Sequence, residues 1–325
     1  MFRKIASFLN NRRYDINERL FSWPFDRIKI DRPIFFLGVQ GGGLTLIARI
    51  FQRHPQIVFC RGNSSTWDNG ENEMQVTIPD LPPELSLLTN PHKHPSYPTN
   101  LFRYWTYALD DNVANYKHDE KDITPELSAR FQRCIKKIIR AYASDPGNCR
   151  FMDKSQLYTI EMPFVHEMIR ECDPHFILVT RNPYAMCHRV AGKYYMNKRK
   201  NNLPFNYEKS IKLCAQHWRN SYSIALADKI HVPHFTMIRF EDFLAKPEET
   251  IRELCNFCGL SFEPDMMPAP SQKHSIFNSM TGRWYPLRSD ANQSYLKELD
   301  SLAKITIKNE CDELACLFGY SPEGP

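Results

Sequence analysis

The chain has 325 residues, 42% hydrophobic and 24% charged, with a formal net charge of +5. That length buries a full core, and no run of about 18 apolar residues is present to span a bilayer. Charges break the first residues too early for a secretory leader, and the net charge is mild. Of the ten cysteines, Cys255 and Cys258 alone have C-x-x-C spacing, and they fall in an apolar helical pattern. The set reads as reduced thiols of a cytoplasmic protein without a metal site.

Residues 1–32 hold eight cations against four carboxylates, and Phe2, Ile5, Phe8 and Leu9 share one helical face. A basic amphipathic segment over residues 1–20 offers peripheral contact with an anionic membrane; docking on the chain's own domain is the preferred reading. We take 1–32 as an extension and 33–325 as a single domain.

Ile34 to Leu37 is an apolar run of strand length, bounded by Gly38 and Gln40. Gly41, Gly42 and Gly43 follow. Ile47, Ile50, Phe51 and His54 then recur at helical spacing until Pro55. Strand, glycine loop and helix start aim backbone N–H groups at one spot, which suits a phosphate. Thr45 adds a hydroxyl there. A glycine triplet at such a turn also fits close packing alone, and the G-x-x-x-x-G-K-[ST] spacing of nucleotide hydrolases is absent.

Ile57 to Cys60 reads as a second strand. Residues 61–124 form an irregular, substrate-side insertion, polar and proline-rich up to residue 100, with the character of a lid. A helix is expected from Pro125 to about Ala143, a strand end at Arg150 to Met152, and a turn at Lys154-Ser155. A further helix from Glu161 to Arg170 is interrupted near its start by Pro163. Phe176 to Thr180 is a β-branched, aromatic strand with Arg181 at its carboxyl end, before a helix opened by Pro183. Tyr207 to Ala225 is a core-facing helix in which His217 is a packing or surface residue. Phe235 to Arg239 is a strand, and Pro247 to Cys258 a helix stopped by Gly259. Alternating strands and helices give an α/β fold with a P-loop-like central parallel sheet flanked by helices. In such sheets ligands bind beyond the carboxyl ends of the strands, so the junctions at Gly41–Thr45 and Arg181 are expected on one margin.

These pieces resemble the sulfotransferases that use 3′-phosphoadenosine 5′-phosphosulfate (PAPS). GVQGGGLTL followed by Arg53-His54-Pro55 is similar to the family's T-x-R/K-S-G-T-T/S-L loop and His-Pro. FILVTRNPYAMCHRV matches its strand, Arg-Asp/Asn-Pro turn and helix. RFEDFLAKPEETIRELCNFCGL, from Arg239 to Leu260, matches its Y-E-D-L…P…F-L-G-L pattern. DKSQ at Asp153 to Gln156 resembles its E/N-K-T/D/S-P segment, and GRWYPL from Gly282 its late G-R-W segment. The resemblance spans residues 34 to about 320 and implies the sulfotransferase fold and activity.

It also implies roles. Gly41, Gly42, Gly43, Leu44 and Thr45 would hold the 5′-phosphosulfate, and Arg181 the 3′-phosphate. Arg189 stands where a serine is expected and would add a second cation for that phosphate. Lys154 would lie near the sulfuryl group, Phe240 near the adenine, and Gly282 and Arg283 would close over the phosphates. The product would be 3′-phosphoadenosine 5′-phosphate (PAP). The loop departs from the pattern, with Gly41 at the basic position, Gly42 at the serine and Leu44 at the first threonine. Lys154 alone would then suffice, or Arg61 or Arg189 would move in, or the chain would bind PAPS without turning it over. The general base would be a carboxylate or histidine from the insertion: His92 and His94 foremost, with Asp68, Glu71, Glu73 and His118 as alternatives. Tyr97, Phe102, Tyr104 and Trp105 would stack on sugars or serve the core. A glycan, glycolipid or small-molecule acceptor suits the chain better than a nucleic acid. A P-loop kinase is the rival of another class.

Overall fold

The computed structural model describes residues 27–60, 73–89, 106–200, 207–268, 274–275, 284–285 and 287–324, with side chains left aside at 193–200 and in the two short segments at 274–275 and 284–285. The basic segment at 1–20, Arg61, Asp68, Glu71, His92, His94, the aromatics at 97–105, Gly282 and Arg283 lie outside the described residues.

β1 (Ile34–Leu37), β2 (Ile57–Val58), β3 (Arg150–Asp153), β4 (His175–Thr180) and β5 (Phe235–Arg239) form one parallel sheet in the order β2-β3-β1-β4-β5. A parallel sheet is covered on both faces, so its inner strands read as unbroken apolar runs. Period-two alternation divides their side chains: Phe35, Leu37, Phe176 and Leu178 enter one core cluster, while Ile34, Phe36, Ile177 and Val179 enter the other. Phe35 stacks on its register partner Phe176 at 5.4 Å between ring centres. Burying one such side chain is worth roughly 1.5–3 kcal/mol.

The helices are α1 (Leu44–Phe51), α2 (Met74–Thr77), α3 (Pro125–Tyr142), α4 (Met162–Met168), α5 (Pro183–Lys200), α6 (Tyr207–Asp228), α7 (Phe240–Ala245), α8 (Pro247–Cys258), α9 (Gln293–Glu298) and α10 (Ser301–Leu317). Their ends follow local chemistry. The Thr124 hydroxyl accepts from Leu127 N at 3.2 Å to start α3, and the Asp300 carboxylate accepts from Ala303 N at 2.7 Å to start α10. α8 has Pro247 in its first turn and stops at Gly259, whose φ of 64° is cheap only for glycine. A small antiparallel pair, β6 (His274–Ser275) with β7 (Trp284–Tyr285), stands apart from the sheet.

Two expectations need correcting. Pro163 does not interrupt its helix; it lies in the first turn of α4, where a missing N–H costs no hydrogen bond. Nor is 73–89 an irregular lid. Met74, Val76, Ile78, Leu81 and Leu85 are buried in the main core, because apolar residues recur between the prolines that end each turn. All ten cysteines are free and eight are buried. Among the described residues no helix is long and apolar enough to cross a membrane.

From β1 the chain turns toward β2 and β3; from β4 it turns toward β5. The crevice between the carboxyl ends of β1 and β4 is therefore the switch point of the sheet, where open α/β folds place their ligands.

Candidate functional site

The loop after β1 enters this crevice. Gly42 N donates to Val39 O at 2.9 Å, closing a tight turn. Gly43 then takes φ 99° as the N-cap of α1, and no side chain caps that helix. The first-turn N–H groups at Leu44 and Thr45 consequently have no acceptor within the helix. A β-carbon on Gly43 would stand 2.2 Å from the Phe240 ring, so only glycine lets the loop close on α7. Leu44, at the position of a threonine, buries its side chain in the second core cluster and offers the crevice its backbone alone. Thr45 is half-buried at the same helix start.

Arg181 is 4% exposed and meets the loop directly, with Nη1 donating to Gly41 O at 2.8 Å. Nε and Nη2 donate to Asn292 Oδ1 at 2.9 and 2.7 Å. The guanidinium lies 4.6 Å over the buried Phe240 ring. Asn292 donates in turn to Glu241 at 2.5 Å, and Glu241 also receives Asn182 N and the Tyr320 hydroxyl. Trp218 Nε1 donates to the Arg181 carbonyl at 2.9 Å, fixing the backbone as well. Burial, then the neighbouring charge of Arg189, bring the Arg181 guanidinium down to about 10, still protonated at neutral pH. The two junctions expected on one margin are thus in hydrogen-bond contact. Asn292 and Glu241 carried no signal in the sequence beyond the polar pair inside RFEDF.

Lys154 follows β3 on the same margin but is sealed, 2% exposed, with Nζ donating to Glu73 Oε1 at 2.5 Å. Gln75 Nε2 donates to the other carboxylate oxygen at 2.8 Å and to Gln156 Oε1 at 3.0 Å. Of the two candidate bases among the described residues, Glu73 and His118, Glu73 meets the lysine. The buried Tyr107 hydroxyl is pushed up by its own burial and, after that, by the Glu73 charge.

His118 lies elsewhere. Its Nδ1 is 3.0 Å from Glu161 Oε1 and its ring stacks on Phe164 at 5.1 Å. His217 is buried, edge-on to Tyr107 at 4.9 Å, which agrees with a packing role. Burial pushes the Glu161 carboxyl up to about 7 against the opposing His118 hydrogen bond. Burial opposes the charge on His118, but the Glu161 carboxylate prevails and raises it. An acid raised on folding stabilises most at low pH and loses that contribution as pH climbs to about 7; a raised histidine loses its own over the same direction. Both signs agree. The melting temperature of Glu161→Gln is expected to rise relative to wild type between pH 5 and pH 8; a difference that does not change with pH overturns this.

Asp173, His175 and His234 gather at the opposite, amino-terminal margin of the sheet. The two rings stack at 4.3 Å, and His234 Nε2 meets the Asp173 carboxylate at 2.7 Å. They take no part in the crevice.

An α/β protein with an uncapped glycine-rich helix start and a buried guanidinium at its switch point has the elements that suit an anion. The chain belongs to the Sulfotransferase family, whose sequence profile matches residues 33–264, well over half its length. Similar solved structures include the sulfotransferase domain from the curacin biosynthetic pathway, at 17% identity and a TM-score of 0.50, covering 90% of this chain and 99% of that one. The sulfotransferase domain of the Synechococcus PCC 7002 olefin synthase is 15% identical with a TM-score of 0.53, covering 92% and 99%. Sulfotransferase STF9 from Mycobacterium avium is 13% identical with a TM-score of 0.54, covering 99% and 83%. At such identities these likenesses establish the sulfotransferase fold. No curated protein matches the chain significantly.

Proposed function

We propose that this chain transfers a sulfuryl group from PAPS to a hydroxyl or amine of a small-molecule, glycan or glycolipid acceptor. The observation that carries the reading is the 2.8 Å contact between Arg181 and the Gly41 carbonyl, which brings an arginine fork and an uncapped helix start together at the switch point. One end of a doubly phosphorylated adenosine then lies on the Leu44 and Thr45 N–H groups, the other at Arg181. Lys154 stabilises the sulfuryl group in flight. Glu73 takes the acceptor's proton once Lys154 turns from it to the donor. In the step itself the acceptor oxygen or nitrogen bonds to sulfur, and the bond from sulfur to the 5′-phosphate oxygen breaks. The electron pair stays on that oxygen, and PAP leaves.

Calorimetry with PAP and with ATP tests the nucleotide. PAP is expected to bind and ATP to bind far more weakly; ATP binding with indifference to PAP favours a P-loop kinase instead. Labelled sulfate passed from PAPS to an acceptor panel tests turnover. The glycine at the loop's basic position favours a second reading, a PAP binder without turnover, and PAP binding with no transfer to any acceptor supports it.

A further inference from the structure

Gly41 has φ 82°, and a β-carbon there would stand 2.5 Å from Val190 Cγ2 and 3.5 Å from Met186 Cγ. No side chain fits at this position, so position 41 has no means of supplying a cation to the loop. The third neighbour of that empty direction is Arg189 Nη1, 3.2 Å away. Met186, Arg189 and Val190 are spaced i, i+3 and i+4 on α5, one helical face laid against the loop. The guanidinium of Arg189 thus occupies the space a loop side chain would fill. Arg181 spends three donor directions on Asn292 and Gly41, and Lys154 is held by Glu73. Arg189 has no hydrogen bond or ion pair among the described residues, and Arg181 is its charged neighbour.

We propose that Arg189 is the cation of the glycine loop, delivered from α5 rather than from the loop itself, and that it binds the 5′-phosphate end of the donor, including the oxygen released as sulfate departs. The proposal rests on the PAPS reading and deepens it. Arg189 adds a second guanidinium beside Arg181, whose charge Glu241 partly offsets through Asn292. The two repel each other, and an anion between them and the helix start relieves that repulsion, which suits a multiply charged phosphate. Charge develops on the departing oxygen, and a cation fixed beside it lowers the barrier without reorganisation. Glycine at 41 and arginine at 189 are then one device. The first makes the room that the second fills.

The test compares two nucleotides by calorimetry: PAP, with both phosphates, and adenosine 3′-phosphate, which lacks the 5′ group. Arg189→Gln is expected to melt with the wild type, to bind adenosine 3′-phosphate equally well, and to bind PAP roughly 10- to 100-fold more weakly. Arg189→Lys regains part of that loss, as a point charge without the fork. Equal weakening toward both nucleotides places Arg189 on the 3′-phosphate and overturns the proposal. So does PAP binding that the substitution leaves unchanged. Wild-type protein that takes neither nucleotide overturns the PAPS reading itself, whichever way Arg189 behaves.

Discussion

Lys154→Ala is expected to lower sulfate transfer by about 10²–10³-fold or more, the range for removing one preorganised donor from a developing charge, while PAP binding survives. PAP lacks the sulfuryl group, so it makes no use of a lysine that acts there. The difficulty is structural. Lys154 and Glu73 are 2% and 5% exposed, and deleting one charge of a buried pair costs about 3–5 kcal/mol because the other is stranded. A variant that loses activity by unfolding teaches nothing about catalysis. The double variant Glu73→Gln/Lys154→Met removes both charges at similar volume and is expected to recover most of the melting temperature lost in Lys154→Ala, yet none of the transfer. Glu73→Gln alone is expected to be poor in turnover as well, having no carboxylate to accept a proton. A double variant that transfers sulfate at the wild-type rate reduces the pair to a structural bridge.

The parts of the fold that were legible in sequence are those set by neighbours along the chain. IFFL is a strand because four apolar residues end at a glycine, and α8 begins at Pro247 and ends at Gly259 because proline and glycine each dictate one backbone state. Both strand-to-helix junctions were visible for the same reason, and parallel crossovers then placed them on one margin. What escaped was decided across distance. Glu73 and Lys154 are 81 residues apart, and no periodicity marks a carboxylate that will be buried against a lysine. The segment around Met74 reads as irregular because prolines punctuate it, but the apolar residues between them are enough to draw it into the core. The place of Arg181 at a strand-to-helix turn is legible, whereas its partner Asn292 comes from the approach to α9 and Glu241, which holds Asn292, from α7, which only the folded chain brings together. The exclusion of a side chain at Gly41 belongs to the same group: it depends on α5 lying against the loop, which a glycine triplet does not announce.

Arg181→Ala is expected to weaken PAP binding by about 1.5–3 kcal/mol, the range for a hydrogen bond to a charged group, and to destabilise the fold besides. The second effect follows from its partners. Truncation leaves Asn292 Oδ1 and the Gly41 carbonyl without their donor in a buried site, at about 1–3 kcal/mol for such a loss. It also removes the cation over Phe240 and leaves Glu241 facing Asn292 with less positive charge nearby. Arg181→Lys does not repair this, since one ammonium has no fork with which to span Asn292 and Gly41. The two contributions separate through Asn292→Ala, which frees the guanidinium without deleting it. If Arg181 itself grips the nucleotide, Asn292→Ala lowers the melting temperature yet keeps most of the affinity for PAP. If Arg181 serves only to hold the loop in shape, Asn292→Ala and Arg181→Ala lose affinity in parallel, in proportion to their loss of stability. Arg181→Ala that binds PAP as the wild type does removes the arginine from the site altogether, and with it the argument that the two junctions grip one nucleotide.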